Sequence, residues 1–382
     1  HAGRDGPRWR PVNTVVRVLL GLLGASVVVW VLDAAVRTFL LPRVASVRLS
    51  RAVAIVVRRL FQLLASERTP YLERDRRLAL YPPVLLLSYQ ASWLCLSLLA
   101  FGGLFVAAGA PSLARGLELS GSSLFTLGTT PAVGAGEMAI SYVEAAIGLT
   151  LLALLIAFIP TLYAAFQRRE VSVTRLSVRA GVPATPWGII EIAHSVNDYE
   201  RLDELWREWE SWFIEVRETH TTLTILNFYR TPIPGQTWVG SATAVLDAAA
   251  LYNAAVDLPP SPSAGLCIRS GWLALRGLAD YFRVPYPHNP DGTEPITIER
   301  DEFELALGHL SRSGVPILAD HDQAWLDFVG WRVNYDAIVE ALDELTSSLR
   351  TDWHTAGTQP LFAPSNRRGT HDKSRVRPHP AS

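Results

Sequence analysis

Residues 126–137 read Thr-Leu-Gly-Thr-Thr-Pro-Ala-Val-Gly-Ala-Gly-Glu, a Gly- and Thr-rich stretch with a single charge at Glu137. Just upstream, residues 113–125 have helical apolar spacing. A helix there aims its C-terminal carbonyl end, with its partial negative charge, at the Gly/Thr segment. The whole of 111–142 carries only Arg115, Glu118 and Glu137 as charges, and it is too short and too polar to cross a bilayer. Irregular backbone is stable at membrane depth only where protein buries it or water wets it. A short helix followed by a Gly/Thr strand between two apolar runs therefore reads as a re-entrant pore loop, whose chemistry is contact between backbone oxygens and a passing cation. An ordinary extracellular loop is the alternative.

Such a loop needs membrane elements to hold it, and the apolar residues crowd into the first half of the 382-residue chain. The run 84–110 is uncharged, follows Pro82 and Pro83, and spans on length alone, since a crossing helix needs about 20 residues. The run 143–166 ends at Gln167, Arg168 and Arg169. A third run, 18–32, reaches spanning length only with Asp33 and Arg37 included; these two stand four apart with the acid first, the favourable order for a helical ion pair. The rival for Asp33 is an intramembrane carboxylate with a role in gating or ion passage. No small-residue cleavage site follows the first run, so a retained anchor is expected rather than a signal peptide.

Between the first two spans, Arg43, Arg48, Arg51, Arg58, Arg59, Arg68, Arg74, Arg76 and Arg77 place the connector in the cytoplasm by the positive-inside rule. Within it, residues 44–64 alternate arginines with Val53, Ile55, Val56, Leu60, Phe61 and Leu64, the pattern of a basic amphipathic helix lying along an anionic leaflet. The N-terminus is then outside and the C-terminus inside.

Here the order of elements becomes specific. Ser122-Ser123-Leu124-Phe125-Thr126-Leu127-Gly128-Thr129-Thr130, followed by Glu144-Ala145-Ala146-Ile147-Gly148-Leu149 and the apolar run 151–156, resembles the pore module of the two-transmembrane potassium-channel superfamily. The resemblance covers 83–169, less than a quarter of the chain. It implies an outer helix, pore helix, filter and inner helix in that order, with four copies around one pore. Potassium filters of this kind read Thr-x-Gly-Tyr-Gly-Asp, or Phe for Tyr. Two registers fit in part. In the first, Thr126, Leu127, Gly128, Thr129 and Thr130 form the filter, with Thr129 where the aromatic belongs and Pro131 near the second glycine. In the second, Val133, Gly134, Ala135, Gly136 and Glu137 do so, with Ala135 at the aromatic position and Pro131 and Ala132 intruding. The first is preferred because it leaves a pore helix of sensible length. Either departure removes the aromatic cuff, so weak selectivity between potassium and sodium is expected. By the same resemblance Gly148 and Pro160 are hinges of the inner helix, and Glu144 bonds to the pore-helix region behind the filter. Packing alone accounts equally for the glycine and the proline, whose ring kinks a helix.

From residue 170 onward periodicity is mainly helical. Residues 171–174 suggest a short strand or linker. Helices are expected over 198–218, 240–256, 263–282, 300–312 and 331–349. Trp206, Trp209 and Trp212 form a core stripe. The Asp320-His321-Asp322 stretch reads as a capped loop, Glu218-Thr219-His220-Thr221 as a helix end, and residues past 364 as a disordered tail. The expected fold is thus an all-α membrane protein with three transmembrane helices, a re-entrant pore loop between the second and third, and a mainly helical cytoplasmic domain. Its units are 1–42, an N-terminal helix; 43–82, the connector; 83–169, the pore module; 170–363, the helical domain; and 364–382, the tail.

With 35 basic and 36 acidic residues, nothing argues for nucleic acid. Two cysteines, Cys95 and Cys267, are too few for a disulfide framework or thiolate metal site and are expected to be reduced. His194, His220, His309 and His321 lack metal-ligand spacing, and no nucleophile sits in a catalytic motif, so no enzyme, cofactor or metal is assigned. The expectation is a homotetrameric cation channel of the inner or plasma membrane, with membrane lipid and a monovalent cation as partners. The alternative is a non-conducting scaffold or receptor that keeps a channel-like shell.

Overall fold

The computed structural model describes residues 13–39, 48–65, 71–233, 235–292 and 294–347. Residues 1–12, parts of the connector including Arg43 and Arg68, the end of the helix expected at 331–349, and the tail at 364–382 lie outside the described residues. Apart from one isolated bridge between Val256 and Ile317, the described residues form helices and turns.

The membrane half comprises α1 (Thr14–Phe39), α2 (Arg48–Leu64), α3 (Tyr71–Leu78), α4 (Tyr81–Ala108), α5 (Leu113–Leu124) and α6 (Ala135–Ala180). Three stretches are long and apolar enough to cross a membrane: Thr14–Phe39, Glu73–Ala108 and Ala135–Ala180. α1, α4 and α6 share a core in which Val31 and Ala35 meet Trp93 and Leu151. Small residues let the α1 and α4 backbones approach closely, as Gly24 does against Ala100. Asp33 and Arg37 pair at 2.6 Å within α1, the ion-pair reading of those two residues.

The helical domain comprises α7 (Pro186–Ser195), α8 (Glu200–Thr222), a 3-10 turn (Thr224–Phe228), α9 (Trp238–Ala255), α10 (Pro262–Phe282), α11 (Arg300–Arg312), α12 (His321–Arg332) and α13 (Asp336–Thr346). α9 is Ala-rich and buried along nearly its whole length, so its neighbours close on it without large side chains in the way. The Trp206, Trp209 and Trp212 stripe of α8 is core, with the Trp209 and Trp212 rings 4.4 Å apart. A buried ionic cluster ties α9 to the C-terminal helices. There Asp247 contacts Arg332 and accepts from Tyr335 at 2.9 Å, and Arg332 also holds Asp336 at 2.8 Å. Cys95 and Cys267 are both free, and burial pushes the Cys267 thiol upward.

Three local expectations are corrected. Residues 171–174 are neither strand nor linker but part of α6, which runs on to Ala180. The β-branched run stays helical because Val173 is buried against the domain and Arg175 and Arg179 reach Glu208 on α8. Asp320-His321-Asp322 is a helix start rather than a loop, with the Asp320 carboxylate accepting from the Gln323 amide at 3.0 Å. The helix expected at 331–349 is divided: Trp331 and Arg332 end α12, and Asn334 turns the chain by donating from its amide to the Gly330 and Trp331 carbonyls. α7 had no counterpart among the expected helices.

Trp209→Ala should remove about 3–5 kcal/mol of stability, because it empties a fully buried aromatic site. A markedly lower melting temperature for the full-length variant in detergent checks this, and an unchanged one contradicts the core assignment.

Candidate functional site

α5 begins at the N-cap Ser112, whose hydroxyl accepts from the Arg115 amide at 3.2 Å. It then runs antiparallel along α4. A Cβ at Gly116 would lie 2.4 Å from the Gly102 carbonyl, and one turn later Ser120 Oγ donates to the Leu98 carbonyl at 3.0 Å. After Leu124 the chain leaves the helix, and by Gly136 it is again beside Ala108, near the far end of α4. Residues 126–134 therefore form an irregular, unpaired return segment between a short helix and α6.

Local hydrogen bonding shapes this segment. The Thr126 amide donates to Ser123 O at 3.0 Å and the Leu127 amide to Ser122 O at 2.8 Å, while Ser122 Oγ accepts from the Thr130 amide at 3.1 Å. Thr126 (φ 53) and Gly128 (φ 66) occupy left-handed conformations, costly for a residue with a Cβ and easy for glycine. Phe125 is 51% exposed and Leu127 64% exposed in the single chain.

The two candidate registers separate here. Ala135, Gly136 and Glu137 lie in the first turn of α6, and Gly134 is its N-cap. Their backbone is helical, so the extended, carbonyl-presenting segment expected of Val133, Gly134, Ala135, Gly136 and Glu137 does not form. The cause is Glu137, whose carboxylate accepts from the Val133 amide at 2.8 Å and puts negative charge at the positive end of the helix. Thr126, Leu127, Gly128, Thr129 and Thr130 stay outside any helix.

Behind this segment, Glu144 is fully buried and is hydrogen-bonded to Ser120 Oγ. Ser123 and Ser141 share another hydroxyl contact between α5 and α6. Gly148 sits against the end of α5, where a Cβ would lie 2.4 Å from the Leu124 carbonyl. Close approach is thus sufficient reason for glycine at this position. Pro160 lies inside α6, which continues through it.

α6 is also the route from this site to the helical domain. Its buried residues, including Glu144, Gly148, Leu151, Leu155, Leu162 and Arg169, recur at spacings of three, four or seven along one face. Exposed Tyr142, Leu149, Leu152, Ile156, Ile159 and Tyr163 lie on the remainder. At the junction Arg169 is 3% exposed and spends its guanidinium on four partners: Glu170 at 2.7 Å, the Leu226 and Tyr229 carbonyls at 2.8 Å each, and His220 Nε2 at 3.2 Å. Trp212 Nε1 donates to the Arg169 carbonyl at 3.3 Å, and Arg168 pairs with Glu215 at 2.5 Å. Sequence reading reached Arg169 only as one of two arginines ending a span. Apart from the adjacent Glu170, its partners lie more than 50 residues away, and no local pattern announces them.

Comparison of the chain with protein-family models, with curated proteins and with solved structures finds no match.

Because Arg169 donates to His220 Nε2, this ring is neutral with its proton on Nδ1, a tautomer inferred from the bonding pattern. Burial, reinforced by the Arg169 charge, holds the imidazole well below its ordinary value near 6.5. The carboxylates at this junction, Glu170 and Glu215, are already held by Arg169 and Arg168. Below pH 6.5 the unfolded chain takes up a proton that the folded one refuses, so stability falls as the medium is acidified, by at most about 1.4 kcal/mol per pH unit. Melting temperature against pH should therefore fall from 7 to 5 in the native protein, with a flatter profile in His220→Asn; parallel profiles would contradict the assignment.

Proposed function

We propose that the chain is one subunit of a homotetrameric cation channel. In this reading α4 is the outer helix, α5 the pore helix, residues 126–130 the filter and α6 the inner helix. The observation that carries it is the return path: a short helix runs back along α4, and an exposed Gly/Thr segment climbs again to the start of α6. Irregular backbone of this kind survives in a membrane only against protein or water, and four copies around an axis supply both. The apolar exposed faces of α6 then meet lipid or neighbouring subunits. Thr129 stands where the resembling channels carry an aromatic, which favours a pore that discriminates weakly between potassium and sodium. The arginine-rich connector puts the helical domain on the cytoplasmic side of the inner or plasma membrane. There it acts on the pore through α6, since the Arg169 junction makes any displacement of the domain a displacement of the inner helix.

One observation favours the non-conducting scaffold. The Ser122 and Ser123 carbonyls at the end of α5 are already taken by the Leu127 and Thr126 amides, which lowers what the helix end offers a cation.

Flux from purified protein in liposomes decides between them. Conduction predicts cation flux, with potassium and sodium passing at comparable rates. Gly128→Ala should abolish or alter it, since a Cβ at φ 66 forces the segment to rearrange. Flux that ignores Gly128→Ala would remove residues 126–130 from the pathway, and no flux from intact tetramers would support the scaffold.

A further inference from the structure

A cavity of about 660 Å³ opens where the membrane half meets the helical domain, within the range of about 300–1,000 Å³ typical of ligand sites. Its walls are of two kinds. One is apolar, with Leu85, Leu86, Tyr89 and Phe158 from α4 and α6. Tyr89 is eight residues into α4, about 12 Å along the helix axis. The other is basic, with Arg37, Arg51, Arg58 and Arg283 and one carboxylate, Asp280. The Arg37 charge is offset by Asp33 at 2.6 Å, and Asp280 accepts from Tyr286 at 2.9 Å.

α2 supplies much of the basic wall. Arg51, Ala54, Ile55 and Arg58 all line the cavity, and their spacing of three, four and seven puts them on one helical stripe. Thr38 and Ser50 hydroxyls meet at 2.9 Å, and Arg58 donates to the Leu345 carbonyl at 3.2 Å, so α2 is tied to both α1 and the helical domain. Beside that stripe Val56, Leu60, Leu63 and Leu64 are exposed. A helix that pairs arginines with outward apolar side chains lies in the membrane interface. The basic wall that α2 supplies is then at headgroup depth, and the apolar wall on α4 and α6 at acyl depth.

We propose that this cavity binds an anionic phospholipid. Its phosphate would be held by Arg51, Arg58 and Arg283 and its acyl chain by the Leu85, Leu86 and Phe158 wall. Basic pockets between membrane helices and a flanking domain take phosphate headgroups by charge, and guanidinium forks match phosphate oxygens in geometry. A neutral lipid satisfies only the apolar wall, and a free phosphate ester only the arginines. A lipid seated there touches α2, α4, α6, the 3-10 turn and the end of α10 at once, which joins the membrane half to the helical domain. The site does not depend on whether the pore conducts.

The test follows the melting temperature of full-length protein in an uncharged detergent during titration with dioctanoyl phosphatidylglycerol, dioctanoyl phosphatidylcholine or glycerol 3-phosphate. Saturable stabilisation by phosphatidylglycerol alone is expected, weakening with added salt. The double variant Arg51→Gln/Arg283→Gln should weaken it at least tenfold. Ala54→Phe, which fills the cavity and leaves every charge in place, should abolish it, and this variant decides the matter if the double variant does not fold. Equal stabilisation by phosphatidylcholine, or a phosphatidylglycerol response unchanged in Ala54→Phe, would overturn the proposal. An equal response to glycerol 3-phosphate would overturn the lipid assignment in favour of a free phosphate ester.

Discussion

A helix of 46 residues is about 69 Å long, more than twice the roughly 30 Å of a bilayer core, so α6 has to satisfy two solvents with one backbone. It does so by keeping one buried face throughout. Glu144, Gly148 and Leu151 pack against α5 and the other spans, and Arg169, Val173 and Leu176 pack against the helical domain. The rest of the architecture follows from that face. α5 can end where it does because Gly148 leaves room for the Leu124 carbonyl, and the segment at 126–134 is short because it need only bridge from there to the N-cap of α6.

Arg169 is the most demanding residue on that face. A guanidinium buried at the edge of an apolar span is tolerable only when its donors are met. The surrounding groups do this with one carboxylate, two carbonyls and a neutral imidazole. Two of those acceptors belong to the turn at Thr224–Phe228 and its C-cap, which the arginine thereby fixes against α6. The same arrangement keeps His220 unprotonated. Stability, domain position and α6 are consequently linked through one side chain, the contact on which the proposed relay rests.

Much of this was legible in the sequence, for identifiable reasons. Uncharged apolar length is a strong signal: α4 and the short α5 lie within a few residues of where they were expected, and α6 contains the expected 143–166 run but begins at Ala135 and continues to Ala180. The Trp206, Trp209 and Trp212 stripe was equally clear, since its spacing leaves little but a core face. Local propensity misled at 171–174, where β-branched residues suggested a strand; the helix continues because of Val173 burial and ion pairs to Glu208, which no local window contains. The second filter register failed for a similar reason. Gly134-Ala135-Gly136 looks extended in isolation, yet it opens α6, whose first turn carries Glu137 with its carboxylate on the Val133 amide. The cavity beneath the spans was invisible, because its arginines come from α1, α2 and α10 and only the fold brings them together.

The central claim is that four copies of the chain surround one axis, because one subunit supplies only one segment like 126–130. Counting the subunits in protein extracted directly from its membrane into lipid nanodiscs, by native mass measurement, tests that claim most directly. Four copies per particle are what the account predicts, and a monomer under those conditions would contradict it.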